Sequence, residues 1–170
     1  MDDQTEAQRS FRTAMANLSA AVNVVTTDGR HGRAGVTVSA ACSVTDTPPT
    51  MLVCVNRSSS SHDIVLANGR ICVNVLGTDQ EELAMHFAGA TNVPTSERFG
   101  AGSWDFDTHG VPVLRDALAS VVGRIVTRRT QGSHTVAFVE IDAVTARVDG
   151  GALVYFQRRF HALSATSLSA

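Results

Sequence analysis

The chain has no lysine: all fourteen residues counted as Lys+Arg among its 170 are arginine. That removes Schiff-base chemistry on a lysine amine and the lysine-bearing phosphate loop. Cysteine is scarce as well. Cys42, Cys54 and Cys72 are odd in number and have no CxxC spacing, so neither a disulfide framework nor a zinc site is expected, and all three read as buried reduced thiols. No apolar run reaches the roughly 18 residues that cross a bilayer, and the acidic start MDDQTEAQ does not resemble a secretory leader, so the expected location is cytoplasmic, without a membrane partner. Charge of one sign never accumulates: the net charge is −2, which argues against nucleic-acid binding by clustered cations. There is no GxGxxG after a strand, no GxSxG, no HExxH and no phosphate loop. The histidines at 31, 62, 86, 109, 134 and 161 are dispersed, so no metal is expected. What remains is one domain over residues 1–170, with small-molecule chemistry as the favoured function.

Periodicity predicts an amphipathic helix from about Gln4 to Leu18, with Phe11, Ala14, Met15 and Leu18 on one stripe. A β-branched strand over Val22–Thr27 follows, and RAGVTVSAACSV is its expected hairpin partner. Asp46-Thr47-Pro48-Pro49 reads as a break before a buried strand over Thr50–Asn56. A short helix opens in RSSSSHD and closes at Gly69, and Arg70–Leu76 forms another buried strand. Thr78 and Glu81 have capping-box spacing for a helix that Gly89 ends. Residues 91–114 read as a functional loop with one helical turn at Glu97–Phe99, where Trp104 and Phe106 pack. Three strand-rich segments complete the chain: ALASVVGRIVTRRT, HTVAFVEIDAVTARV and ALVYFQRRFHAL. Many strands with few helices predict a mainly β antiparallel barrel.

The segment from Arg33 to Ser61 concentrates polar chemistry. Thr37, Ser39, Ser43 and Thr45 alternate as on one strand face, and Asn56-Arg57 precedes four serines. Hydroxyls, amides and one arginine brought together this way would cradle a phosphate without a glycine-rich loop. A wet strand face followed by a solvated serine loop accounts for the same residues more simply.

The ordered series FRTAMANLSAAVNVVTTDG, GRAGVTVSAACSVTDTPPTMLVCVNRSSS, ICVNVL, HFAG, GSH and YFQRRFH closely resembles the short-chain flavin reductases of two-component monooxygenases. The resemblance spans nearly the whole chain, with a core of about residues 8–163. It implies an FMN-binding, flavin-reductase-like split β-barrel with a few short helices, usually a homodimer. Such a protein reduces FMN or FAD with NADH or NADPH and supplies a separate flavin-dependent monooxygenase; the alternative is a split-barrel flavin-binding module without reductase activity. By the same resemblance Thr37, Val38, Ser39 and Ala40 border the isoalloxazine ring, mainly through backbone groups. Ser43, Val44, Thr45, Asn56, Arg57, Ser58 and Ser59 hold the ribityl-phosphate tail, and Arg57 is the charged candidate there. His134 is the implied catalytic residue beside the nicotinamide, although Ser133 replaces the family's Thr or Asp in that turn. Tyr155, Arg159 and His161 lie toward the pyridine nucleotide, because strand alternation puts Arg159 and His161 on one face.

Overall fold

The computed structural model describes residues 5–165. Helix α1 (Glu6–Ala16) opens with a capping box, in which Thr5 Oγ1 accepts from the Gln8 amide and Gln8 returns the contact. Gln4, the expected start, lies outside the described residues. Strands β1 (Ala20–Ala21), β2 (Asn23–Thr27), β3 (Ala34–Val38), β4 (Ala41–Asp46) and β5 (Pro49–Asn56) follow. After α2 (His62–Asn68), β6 (Arg70–Val75), α3 (Glu81–Ala88) and a 3-10 turn (Thr95–Gly100) come β7 (Trp104–Phe106) and β8 (Pro112–Leu114). The long hairpin β9 (Ala119–Gln131) and β10 (His134–Ala146) leads to β11 (Ala152–Phe156) and β12 (Arg159–Leu163).

Seven strands form one antiparallel sheet in the order β3-β2-β6-β9-β10-β5-β4. Its two edges, β3 and β4, are consecutive in the chain and are joined only by Ser39-Ala40, where the Cys54 amide donates to the Ala40 carbonyl at 2.9 Å. The sheet therefore curls until its edges meet at a corner without pairing along their length, which makes it a split β-barrel. The interior is valine-rich, as β-branched side chains suit a pleated wall. Val25, Val53, Val55, Val73 and Val139 are at most 1% exposed, and α2 plugs one opening with Val65. Each such side chain contributes about 1.5–3 kcal/mol on burial. A second apolar cluster packs α3 on the sheet through Leu83, Ala84 and Phe87. Gly35 on β3 makes that approach possible, because a Cβ there would lie 2.5 Å from the Phe87 ring.

Several expectations change. Asp46–Pro49 is the turn of the β4–β5 hairpin, with Asp46 opposite Pro49, so the prolines sit where no ladder donor is needed. The Thr78–Glu81 capping box does not form; α3 starts after Gln80, whose side-chain carbonyl accepts from the Gly77 amide at 2.8 Å. Residues 91–114 are structured by aromatic packing, with Phe87, Phe99 and Trp104 ring centroids 5.0–5.7 Å apart. Trp104 packs as expected, whereas Phe106 is exposed beneath the Arg33 guanidinium. Only Cys72 is buried. Cys54 is half-buried and Cys42 exposed, because both lie on the outer face of β4 and β5. The stripe on α1 is also uncovered: Phe11, Met15 and Leu18 all face solvent.

Candidate functional site

The corner at Ser39-Ala40 organises the site. Thr37, Ser39, Ser43 and Thr45 all occupy alternate positions in the sequence, yet the chain turns between β3 and β4, and a bulge interrupts the pairing between Ser43 and Thr45. The four hydroxyls therefore do not share one face. Small side chains at Ser39 and Ala40 allow the turn. Both residues are exposed, and among the described residues neither amide N–H finds an acceptor. Two adjacent unpaired donors at a sheet corner can stabilise negative charge on a ligand.

Against this corner lies a largely apolar cleft of about 370 Å³, walled by Thr37, Val38 and Ser39 on one side and by Met85, Tyr155 and Phe160 on others. Thr37 fixes its floor, because its hydroxyl donates to the Ala84 carbonyl of α3 at 2.6 Å. That hydroxyl is committed to structure, so Thr37 offers the cleft its backbone and methyl. The size and the mix of apolar wall with a few polar groups suit a planar heterocycle. Ser43, Val44 and Thr45 lie further along the edge strand β4, all exposed.

The end of β5 holds the second group of candidates. Asn56 pairs directly with His134 across β5 and β10. Its side chain organises the serine loop, with the Ser58 amide and hydroxyl both donating to Asn56 Oδ1 at 3.0 and 2.9 Å. Ser59 Oγ in turn accepts from the Ser61 amide. His134 is half-buried and its Nδ1 lies 2.9 Å from Ser133 Oγ. Arg57 lines a separate, polar cavity of about 710 Å³ with Arg128, His31, His62 and Thr135. His62 is clamped there, with Nδ1 2.7 Å from Asp63 and Nε2 2.9 Å from Thr135. Among the described residues neither Arg57 nor Arg128 has a carboxylate partner; each donates to a backbone carbonyl, of Gly132 and Leu66 respectively. By contrast Arg33, Arg70, Arg115, Arg124 and Arg147 are all ion-paired. The cavity-lining arginines thus keep their charge available to an anionic ligand.

Apart from Ser43, Val44 and Thr45 on the edge strand β4, the predicted residues fall into three places. Thr37, Val38, Ser39 and Tyr155 meet at the apolar cleft, beside Ala40. Asn56, Ser58, Ser59 and His134 meet at the end of β5, with Arg57 turned into the polar cavity. Arg159 and His161 stand apart from both cavities, and His161 Nε2 contacts the Phe156 carbonyl. The reason is a hairpin: YFQRRFHAL is two strands, and Gln157 and Arg158 form the turn with φ of 49° and 63°. Arg158 lines the apolar cleft instead. The sequence carries no glycine or asparagine in that turn to announce it. Among the described residues no group of three or more His, Cys, Asp or Glu could hold a metal ion.

Comparison with known proteins shows the family of the chain. Residues 15–164 match the flavin reductase like domain. The chain is 49% identical over 156 residues to the 4-hydroxyphenylacetate 3-monooxygenase reductase component of Pseudomonas aeruginosa, covering 92% of each. It is 48% identical to the FMN reductase (NADH) RutF of Stutzerimonas stutzeri, covering 94% of this chain and 90% of the relative. Among solved structures, the NADH:FAD oxidoreductase SgcE6 of Streptomyces globisporus superposes with a TM-score of 0.84 at 26% identity, over 100% of this chain and 98% of its own.

Proposed function

The chain belongs to the flavin reductase like family, and we propose that within it this protein is an NAD(P)H:flavin oxidoreductase that supplies reduced FMN or FAD to a separate flavin-dependent monooxygenase. The observation that carries the reading is the apolar cleft set against the two unpaired amides of Ser39 and Ala40. When bound, flavin and nicotinamide supply the hydride transfer themselves. The chain's own work is to hold and orient. Val38 and Tyr155 wall the ring side and exclude water, and the Ser39 and Ala40 N–H groups would hold a polar edge of a bound ring and could stabilise negative charge there. Ser43, Val44, Thr45 and the Asn56–Ser59 loop receive the ribityl-phosphate tail, with Arg57 as its cation. His134, oriented by Ser133, serves the nicotinamide side.

We further propose a single cytoplasmic domain that acts as a homodimer. Leu52, Cys54, Val136 and Phe138 form an apolar outer face on β5 and β10 that stays half-exposed in one chain. A second copy covers such a face at least cost. Light scattering checks this; a monomer at micromolar concentration refutes it.

The activity test is direct. Purified protein with NADH or NADPH and FMN or FAD consumes the nicotinamide under air and bleaches flavin under anaerobic stopped flow. Flavin binding without nicotinamide-dependent bleaching would identify a binding module instead, and refute the reductase reading.

A further inference from the structure

The Ser39-Ala40 corner is braced by a buried side chain, that of Asn23. This residue opens β2, a strand otherwise made of valine and threonine, and it is 3% exposed. Asparagine is depleted in strands, and a buried amide costs free energy unless its polar atoms are bonded. Here Nδ2 donates to two carbonyls, of Ala21 at 3.1 Å and of Val38 at 3.3 Å. Both neighbours are acceptors, so the amide presents its nitrogen to them and not its oxygen.

Each of those carbonyls belongs to a wall of the ring cleft. Val38 ends β3 and lies opposite Asn23 in the β2–β3 register. Its carbonyl shares one planar peptide unit with the Ser39 N–H, so whatever orients the carbonyl also orients that donor. A hydrogen bond received at the carbonyl polarises the unit as well, and strengthens the N–H at its other end. Ala21 ends β1, where Ala20 is paired with Tyr155. One side-chain amide therefore ties the strand beside Tyr155 to the strand that carries the corner, without itself lining the cleft. Thr27 makes a different bond at the opposite end of β2, where it is paired with Ala34: its hydroxyl donates to the Arg70 carbonyl of β6 at 2.6 Å. That contact holds sheet to sheet and has no peptide of the corner behind it.

We infer that Asn23 is a positioning residue for flavin reduction: it aims the Ser39 N–H at the ring edge and so favours the negatively charged, reduced form of the ring over the oxidised one. The inference rests on the flavin reductase reading for the occupant of the cleft. It assigns Asn23 no contact with the ring and no proton to transfer.

The test compares two affinities and requires no turnover. Oxidised FMN is titrated by quenching of its fluorescence, and dithionite-reduced FMN by isothermal titration calorimetry under nitrogen. The variants are Asn23→Leu, of similar volume, and Asn23→Thr, which suits a strand; Thr27→Val is the control for a merely structural loss on the same strand. In each Asn23 variant the affinity for reduced FMN should fall about tenfold relative to that for oxidised FMN, equivalent to a two-electron potential lower by about 30 mV. Thr27→Val should lower Tm and keep the wild-type ratio. An unchanged ratio in a folded Asn23 variant, or the same shift in Thr27→Val, overturns the inference. So does failure of both Asn23 variants to fold, since Asn23 would then be holding the sheet and not the corner. A wild type that binds neither form of FMN refutes the flavin reading and the inference together. One that binds both forms but does not oxidise NADH refutes the reductase reading alone, and the ratio still decides on Asn23.

Discussion

Two polar regions lie within one sheet, and they are built on opposite rules. On β6, between β2 and β9, Asn74 is fully buried, and every polar atom of its side chain is used. Its Oδ1 accepts from the Leu114 amide at 2.8 Å, from Ser120 Oγ at 3.1 Å and from Cys72 Sγ at 3.3 Å, while Nδ2 donates to the Val24 carbonyl at 2.9 Å and to Thr26 Oγ1 at 3.2 Å. At the Ser39-Ala40 corner and in the polar cavity beyond it, the two corner amides, Arg57 and Arg128 are left with spare capacity among the described residues. A polar group that closes on the protein holds the fold; one left open at an exposed corner has binding to offer.

The contrast can be broken most forcefully at Asn74. Replacing it with leucine strands several buried partners, each worth about 1–3 kcal/mol, so a loss of at least about 3 kcal/mol is expected in urea unfolding. Flavin affinity measured where the variant remains folded should be unchanged; a selective loss of affinity would place Asn74 in the site.

Thiol chemistry separates the regions next. Burial pushes the Cys72 thiol up to about 12, and it sits in the closed network, whereas Cys42 is exposed. In the native protein Cys42 should react with an aromatic disulfide reagent more than about 100-fold faster than Cys72 at mildly alkaline pH. The sign of the linked stability follows. Because the folded value lies above the unfolded one, the stabilisation from the neutral Cys72 thiol is complete below the unfolded thiol's pKa and is lost as pH rises from there toward 12. Alkaline unfolding that a Cys72→Ala variant does not alter would contradict this.

Arg57→Ala tests the open region. FMN affinity should fall about tenfold, or ~1.4 kcal/mol, with a shallower salt dependence, while riboflavin affinity and Tm stay as they were. Equal losses for riboflavin and FMN would remove Arg57 from the phosphate. The smallest effect belongs to a fully exposed pair: Arg115 holds the Asp105 carboxyl below its usual value, chiefly through a side-chain hydrogen bond. Any stabilisation it gives is present above the unfolded carboxylate pKa and lost as pH falls, and solvent screens it. Asp105→Asn should leave Tm at neutral pH unchanged.

The strands were legible because valine runs such as Val22–Thr27 and Thr50–Asn56 have one interpretation in a mostly β chain, and the glycines at 69 and 89 marked the ends of α2 and α3 correctly. The corner was hidden because Ser39-Ala40 continues the alternation of its flanks and contains neither glycine nor proline. The Gln157-Arg158 turn is hidden for the same reason, and only the fold shows that Arg158 lines the cleft. Arg128 and His62 join Arg57 only through the meeting of α2 with β9 and β10, a long-range event that no local spacing encodes. The resemblance to flavin reductases supplied the residues of the ring side, and the fold supplied their assembly at one cleft.

Because the two sheet edges belong to consecutive strands, opening the split requires flexing at Ser39-Ala40 and little else. A ligand seated at that corner would therefore act as a staple for the whole sheet. Its arrival should register in amide hydrogen exchange as slowed opening of β3 and β4 together, on both rims at once, even though only the corner is touched.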